Sequence, residues 1–174
     1  DSATATVAVI DSTKPSAVAQ NITVYLDGSG NASITAVDID NGSTDNCGID
    51  SLLLDKTNFT CSDIGANTVI LTAKDGSGNS STASATVTVS DSTAPVAVAQ
   101  NIIVYTDSTG SVSVNPSQIN NGSTDNCSVD SLSLSKSVFV CSDEGINMVI
   151  LTAFDGSGNS DTALAKVTVI KTPL

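Results

Sequence analysis

An internal repeat dominates this sequence and limits what it can fold into. Residues 11–90 align without a gap on residues 91–170, and 51 of the 80 aligned positions are identical. The segment NGSTDNC at 41–47, for example, returns unchanged at 121–127. A chain that repeats in this way contains two copies of one structural unit. We therefore predict two domains, 11–90 and 91–170.

Both ends of the chain continue the same repeat. Residues 1–10 align with 81–90 and 161–170, so we expect them to be the last strand of a preceding, truncated repeat. Residues 171–174 stand where the next linker would begin, but KTPL lacks the aspartate of the DST-x-P linkers. We interpret the chain as a section of a longer tandem array.

Apolar residues recur with a period of two inside each repeat, which is typical of half-buried β-strands. Asp, Asn and Gly turns separate these runs, and this pattern favours a β-sandwich. The predicted strands of the first repeat are 17–26, 31–37, 48–54, 57–61, 67–74 and 81–90. The predicted fold class is all-β, with two tandem immunoglobulin-like β-sandwiches arranged end to end.

Comparison of the two copies gives two finer expectations. The run Leu52-Leu53-Leu54 becomes Leu-Ser-Leu in the second repeat, so Leu53 should face outward and its neighbours inward. An array that continues in one direction needs an odd number of chain crossings in each repeat. We therefore expect segment 55–66 to cross from one sheet to the other and not to complete a simple hairpin.

Composition and charge exclude several functions. The chain has 6 basic residues, 18 acidic residues and no histidine, for a net charge of −12. Such a chain repels nucleic acid, and it has no histidine for acid–base catalysis or zinc binding. Because no apolar run approaches the about 20 residues needed to span a membrane, we predict no membrane insertion. Serine and threonine nucleophiles have no histidine base, so we predict no enzymatic activity.

Each repeat contains two cysteines that lie 14 positions apart. Two thiols without histidine do not complete a tetrahedral zinc site, and this leaves a disulfide as the favoured alternative. We expect the bridges Cys47–Cys61 and Cys127–Cys141. A loop of this length would stabilise a small domain by about 3 kcal/mol. Disulfides also imply an oxidising, extracellular setting.

Three acidic segments recur and suggest a calcium site. In an immunoglobulin-like topology the linker, the loop after the second strand and the loop before the last strand share one end of the domain. Their oxygen donors would suit Ca²⁺. The candidate ligands are Asp11, Asp40, Asp45 and Asp75 in the first repeat and Asp91, Asp125 and Asp155 in the second. The alternative is that these residues only form turns, in which Asp, Asn and Gly are common.

The combined motifs resemble a known kind of surface module. DST-x-P, AVAQNITVYLDGSG, DNGSTDNCGIDSL, FTCSDIG and NTVILTAKDGSGNS, with a closing ATVTV strand, resemble HYR-like (hyalin-repeat-like) immunoglobulin-type modules. More closely, they are similar to the tandem modules of giant Bacteroidota gliding-motility adhesins, which the type IX secretion system exports. The resemblance covers 11–170, with 1–10 as a partial module.

The resemblance implies a cell-surface filament that adheres to a substratum or a polysaccharide. On this basis we expect a structural stalk or adhesin segment, located outside the cell, whose partners are neighbouring repeats and a surface polysaccharide or glycoprotein. The alternative is a carbohydrate- or protein-binding module that contacts the ligand itself. The family's D-(S/T)-A pattern for O-glycans matches Ser2 and Thr162.

Overall fold

The structure is a computed structural model that describes residues 2–172. Asp1, which opens the first O-glycan pattern, and residues 173–174 of the expected linker lie outside the described residues. The chain divides into two units, and the main boundary between them follows Ser90.

In the described residues, the first unit consists of six strands, a short α-helix and a 3₁₀ turn. The strands are β1 (Ile22–Tyr25), β2 (Asn31–Ser33), β3 (Ile49–Leu54), β4 (Asn58–Thr60), β5 (Gly65–Asp75) and β6 (Ser80–Ser90). The helix α1 (Ala36–Ile39) follows β2, and a 3₁₀ turn (Cys61–Asp63) follows β4. These strands form a four-stranded sheet in the order β1-β6-β5-β3 and a two-stranded sheet of β2 and β4.

The second unit repeats this arrangement element by element. Its strands are β7 (Ile102–Tyr105), β8 (Ser111–Ser113), β9 (Val129–Leu134), β10 (Val138–Val140), β11 (Gly145–Asp155) and β12 (Ser160–Ile170). The helix α2 (Pro116–Ile119) follows β8, and a 3₁₀ turn (Cys141–Asp143) follows β10. The sheets are β7-β12-β11-β9 and β8-β10. The prediction of two all-β sandwiches is therefore confirmed.

The long antiparallel hairpin of each unit supplies the centre of its core. Along β5, the side chains of Val69, Leu71 and Ala73 are fully buried, and Val87 of β6 is buried beside them. A strand turns alternate side chains to opposite faces, so every second residue of the hairpin points into the sandwich. Phe59 of β4 closes the core from the two-stranded sheet and is 1% exposed.

The prediction for the leucine run is confirmed. Leu53 is 47% exposed, whereas Leu52 and Leu54 are half-buried. Their counterparts Leu132 and Leu134 pack against the core of the second unit.

Two expected strands are shorter than predicted. The first begins only at Ile22, because 17–21 follows an irregular path with single β-bridges such as Ala19 to Asp40. The second ends at Ser33 and gives way to α1. The Asp38 carboxylate accepts a 2.7 Å hydrogen bond from the Thr35 backbone N–H and caps this turn. A four-residue helix is too short to show a helical period in the sequence.

No strand is assigned to residues 2–10, where a strand was expected. Within this segment Val7, Val9 and Ile10 are at least 80% exposed. A strand exists only with a hydrogen-bonded neighbour, and the described residues provide none for this segment.

Segment 55–66 crosses between the sheets, as predicted. β3 belongs to the four-stranded sheet, β4 pairs with β2 in the other sheet, and β5 returns to the first. Lys56 holds the crossing in place: its Nζ lies 2.6 Å from Asp63 Oδ1 and 4.8 Å from the centre of the Phe59 ring. The second unit repeats this with Lys136, 2.6 Å from Asp143.

These ion pairs predict a pH-dependent stability. The hydrogen bond from Lys56, together with that from the Thr60 backbone, lowers the pKa of Asp63 below its usual 3.8. A lowered carboxyl pKa contributes stability above pH 3.8, and this stability is lost as the pH falls through the folded-state pKa. We expect Lys56→Met to lower the thermal midpoint at about pH 7, with a deficit that shrinks below pH 3.8.

Thermal melts followed by circular dichroism across this pH range would measure the deficit. Lys74→Met is the matched control, because Lys74 is exposed and takes part in neither of these ion pairs. A deficit for Lys56→Met that stayed constant across the pH range would contradict the assignment.

Candidate metal centre

Three aspartates of the first unit meet at one end of its central hairpin. Asp75 ends β5, Asp45 lies in the loop before β3, and Asp11 lies in the preceding linker. Each contributes a carboxylate oxygen, and these oxygens lie within 4.8 Å of one another. We call this group the first acidic cluster, and the end of the unit that holds it the linker end.

The turn between β5 and β6 positions the most buried of these carboxylates. Asp75 is 5% exposed, and its Oδ1 accepts hydrogen bonds from the backbone N–H groups of Ser77 and Asn79 at 3.0 and 2.7 Å. The Asn79 side-chain amide donates to Asp75 Oδ2 at 2.7 Å and to the backbone carbonyl of Asp11 at 3.1 Å. The DGSGN motif therefore forms a turn and also ties the linker to the sandwich.

Asp11 brings an oxygen without a protein donor into the cluster. Its Oδ1 accepts a 2.9 Å hydrogen bond from the Thr13 backbone N–H, which is the main reason that the pKa of Asp11 lies below its usual value. Its Oδ2 is buried and has no hydrogen-bond partner. An unpaired buried carboxylate oxygen costs free energy, so this arrangement favours a bound cation.

The second unit has a related group at its own linker end. Carboxylate oxygens of Asp91 and Asp125 lie within 4.8 Å of each other and of Cys127 Sγ. Asp91 is 6% exposed and its Oδ2 has no hydrogen-bond partner, and Asp125 Oδ1 is likewise unpartnered. We call Asp91 and Asp125 the second acidic cluster. Cys127 is disulfide-bonded, so its sulfur is not a thiolate ligand.

Two of the predicted ligands lie outside these groups. The carboxylate of Asp40 caps its own loop, accepting from the backbone N–H groups of Gly42 and Ser43 at 3.4 and 3.1 Å. Asp155 is 5% exposed, and Asn159 satisfies both of its oxygens. Burial raises the pKa of Asp155, but the hydrogen bonds outweigh this and the net shift is downward.

Oxygen donors of this kind suit a hard divalent cation. Ca²⁺ takes carboxylate and carbonyl oxygens in a flexible geometry, and its charge would offset the repulsion between neighbouring carboxylates. The neighbouring Asp11 carboxylate raises the pKa of the Cys47 thiol, because its negative charge disfavours a thiolate beside it. The thiol is therefore a weak nucleophile at neutral pH.

The predicted disulfide pairing is wrong. Cys47 and Cys141 carry free thiols, whereas Cys61 and Cys127 are disulfide-bonded. Neither Cys47–Cys61 nor Cys127–Cys141 is therefore present. The more general prediction, that the chain forms disulfides, is confirmed, because Cys61 and Cys127 are disulfide-bonded.

Strand length explains why a bridge within a repeat cannot form. Cys47 lies just before β3, whose first residue Ile49 pairs with Asp75 at the linker end of β5. Cys61 begins the 3₁₀ turn that leads into the opposite end of β5 at Gly65. An 11-residue strand spans about 33 Å, whereas the two Cα atoms of a disulfide lie within about 7 Å.

The hydrogen-bond network around Lys56, at the crossing between the sheets, was not predicted from the sequence. The Asn67 side chain donates a 2.7 Å hydrogen bond to the Asp63 backbone carbonyl and accepts from Lys56 Nζ at 3.4 Å. One signal was available, because Lys56 is the only lysine whose equivalent in the other repeat, Lys136, is also a lysine.

The residues of the O-glycan pattern are accessible. Ser2 is exposed, and Thr162 is exposed on β12. Exposure is required for a glycan but does not show one, so both positions stay predictions.

No family model and no curated protein matches this sequence. Solved structures of cadherin domains are similar at low identity. Cadherin domains 1–4 of protocadherin gamma B7 align over 91% of this chain at 11% identity with a TM-score of 0.42, and this chain spans 51% of that one. Drosophila N-cadherin EC1–4 aligns over 91% of this chain at 13% identity with a TM-score of 0.45, and this chain spans 50% of that one. EC1–2 of the human mucin-like protocadherin aligns over 91% of this chain at 11% identity with a TM-score of 0.42, and this chain spans 98% of that one.

Among residues 2–172, no helix has the length and apolar character that crossing a membrane requires.

The cysteine assignment predicts a simple labelling pattern. Alkylation of the unreduced, denatured protein should modify Cys47 and Cys141 and leave the other two cysteines unmodified. After reduction, all four should react. Peptide mass spectrometry would locate the labels, and protection of Cys47 before reduction would contradict the assignment.

Proposed function

We propose that this chain is a structural stalk segment of a long extracellular filament, of the HYR-like kind found in gliding-motility adhesins, which spaces and stiffens the filament for surface adhesion or gliding. The observation that carries the proposal is that one sandwich, with the same strand order and the same buried hairpin, occurs twice in succession. Repetition adds length without adding a new site. The charge of −12 would keep neighbouring filaments apart.

Ca²⁺ at the acidic clusters would strengthen such a segment. Asp11, Asp45 and Asp75 would supply ligands in the first unit, and Asp91 and Asp125 in the second. Supporting this are the buried, unpartnered oxygens of Asp11, Asp91 and Asp125. A cation at these positions would fasten the linker to the loops around it, because each cluster contains one linker aspartate.

The free thiols fit a longer array. Cys47 is the counterpart of Cys127 in the repeat, and Cys141 is the counterpart of Cys61; each free cysteine therefore corresponds to a bonded one. In an array with further repeats, we propose that Cys47 and Cys141 are bonded as their counterparts are here.

Calcium binding predicts a higher thermal midpoint in Ca²⁺ than in EDTA. A ligand at 100 times its dissociation constant stabilises the folded state by about 2.7 kcal/mol. The double variant Asp91→Asn/Asp125→Asn should lose the part of this shift that belongs to the second unit. Differential scanning calorimetry with and without Ca²⁺ would measure both effects.

Asp107→Asn is the control for this experiment. Asp107 accepts turn hydrogen bonds from Thr109 and Ser111, which an asparagine oxygen can also accept, and it belongs to neither acidic cluster. Its calcium response should equal that of the wild type. Identical thermal midpoints of the wild type in Ca²⁺ and EDTA would reject a structural calcium ion.

A ligand-binding module is the second candidate, favoured by one observation. Tyr25 and Tyr105 occupy equivalent positions, and each is 62% exposed. Exposed aromatic rings are common platforms for ligands that stack on them. The stalk proposal predicts no binding of the 174-residue chain to a glycan array or to surface polysaccharide. Binding that Tyr25→Ala and Tyr105→Ala together abolish would favour the second candidate instead.

A further inference from the structure

The outer face of the second unit carries an apolar patch that the first unit lacks. Side chains of β7, β11 and β12 that point away from the core form it. Its members, with their exposed fractions, are Ile103 (61%), Ile146 (69%), Met148 (55%), Ile150 (41%), Leu164 (65%) and Ile170 (37%). We call this set the apolar face.

The strand register makes the apolar face continuous. Thr168 pairs with Ile103 on one side and with Ile146 on the other, so these residues form one row across three strands. Ile150 pairs directly with Leu164 in another row. Side chains opposite each other on neighbouring strands lie about 5 Å apart and contact one another.

The first unit shows that the fold does not require this face. Its residues at the positions of Ile103, Ile146, Met148 and Leu164 are Thr23, Ala66, Thr68 and Ser84. The inward positions keep their character: Val69 and Leu71 correspond to Val149 and Leu151, and all four are 0% exposed. The two repeats therefore share a core and differ in what they present to the outside.

The size of the apolar face matches an interface. At these exposed fractions the six side chains present on the order of 600 Å² of apolar surface, at the upper limit for a single patch on a monomer. A stable interface buries about 800 Å² on each partner. Tyr105, 62% exposed and paired with Ile170, extends the surface toward that area.

Two charges flank the centre of the face. Lys166 pairs with Met148 on one side of Ile146, and Glu144 lies two residues before Ile146 on the other. Both are exposed, and neither is in an ion pair among the described residues. Both charges are absent from the first unit, where Thr86 and Ile64 stand at these positions.

We propose that the apolar face is a docking surface for a second copy of this chain. In a two-fold interface the same surface is used on both copies. If one residue of the first copy contacts a second residue of the other copy, the reverse contact also occurs. With the axis near Ile146, Lys166 of each copy would lie opposite Glu144 of the other. The net charge of −12 opposes association, so the dimer should be favoured by salt concentrations that screen long-range repulsion.

Sedimentation equilibrium of the full chain tests the proposal, after Cys47 and Cys141 are alkylated to prevent disulfide-linked dimers. The average mass of the wild type should rise with concentration toward twice that of the monomer. The variant Ile103→Thr/Ile146→Ala/Met148→Thr/Leu164→Ser should stay monomeric. These replacements are the residues of the first unit, so the sandwich should tolerate them, and circular dichroism would verify that it folds. A monomeric wild type at all concentrations, or equal association of the variant, would overturn the proposal.

Charge reversal provides the second arm. Lys166→Glu should weaken the dimer by about tenfold or more, and Glu144→Lys should do the same, because each reversal places two like-charge pairs in the two-fold interface. Combining the two reversals restores opposite charges across the two-fold axis and should recover association. A double variant that associates no better than either single variant would exclude the proposed pairing. Association of the wild type beyond the dimer would exclude a closed two-fold interface.

Discussion

Burial of the long central hairpin is the constraint on which each unit depends. The chain contains few aromatic residues, so each core is assembled from small aliphatic side chains that alternate along β5 and β6, or along β11 and β12. Each of these strands has eleven residues, and every second side chain along its central part is buried. The same length separates the two ends of the unit, with the acidic cluster at the end marked by Asp75 and the 3₁₀ turn at the end marked by Gly65.

Features that depend on alternation or on the repeat could be predicted from the sequence. The all-β class, the outward position of Leu53 and the crossing of segment 55–66 between sheets all follow from periodicity and chain direction. The disulfide pairing could not be predicted, because 14 positions along the chain do not reveal that Cys47 and Cys61 lie at opposite ends of a strand. The helix α1 and the Lys56 network depend on single side-chain contacts that leave no periodic signal.

Part of the candidate calcium site could also be predicted from the sequence, because the acidic segments recur in both repeats. The linker and the loops were expected at one end, and the structure brings Asp11, Asp45 and Asp75 together there. Asp40 and Asp155 were also expected as ligands, but both lie outside the clusters. Asn159 satisfies the oxygens of Asp155 in the same way as Asn79 satisfies those of Asp75, so these hydrogen bonds do not separate the two aspartates. Turn formation and metal binding use the same residue types, and only the unpartnered oxygens of Asp11, Asp91 and Asp125 separate the two roles.

The central claim is that each repeat is a sandwich with its own core, built around its own hairpin. Native-state hydrogen exchange, resolved by residue, tests this most directly because the slowest amides mark the most stable structure. The account predicts two matching sets of slow amides, one around Val69–Ala73 and its β6 neighbours and one around Val149–Ala153 and its β12 neighbours. Protection confined to one repeat, or centred on the short strands of the two-stranded sheets, would contradict it.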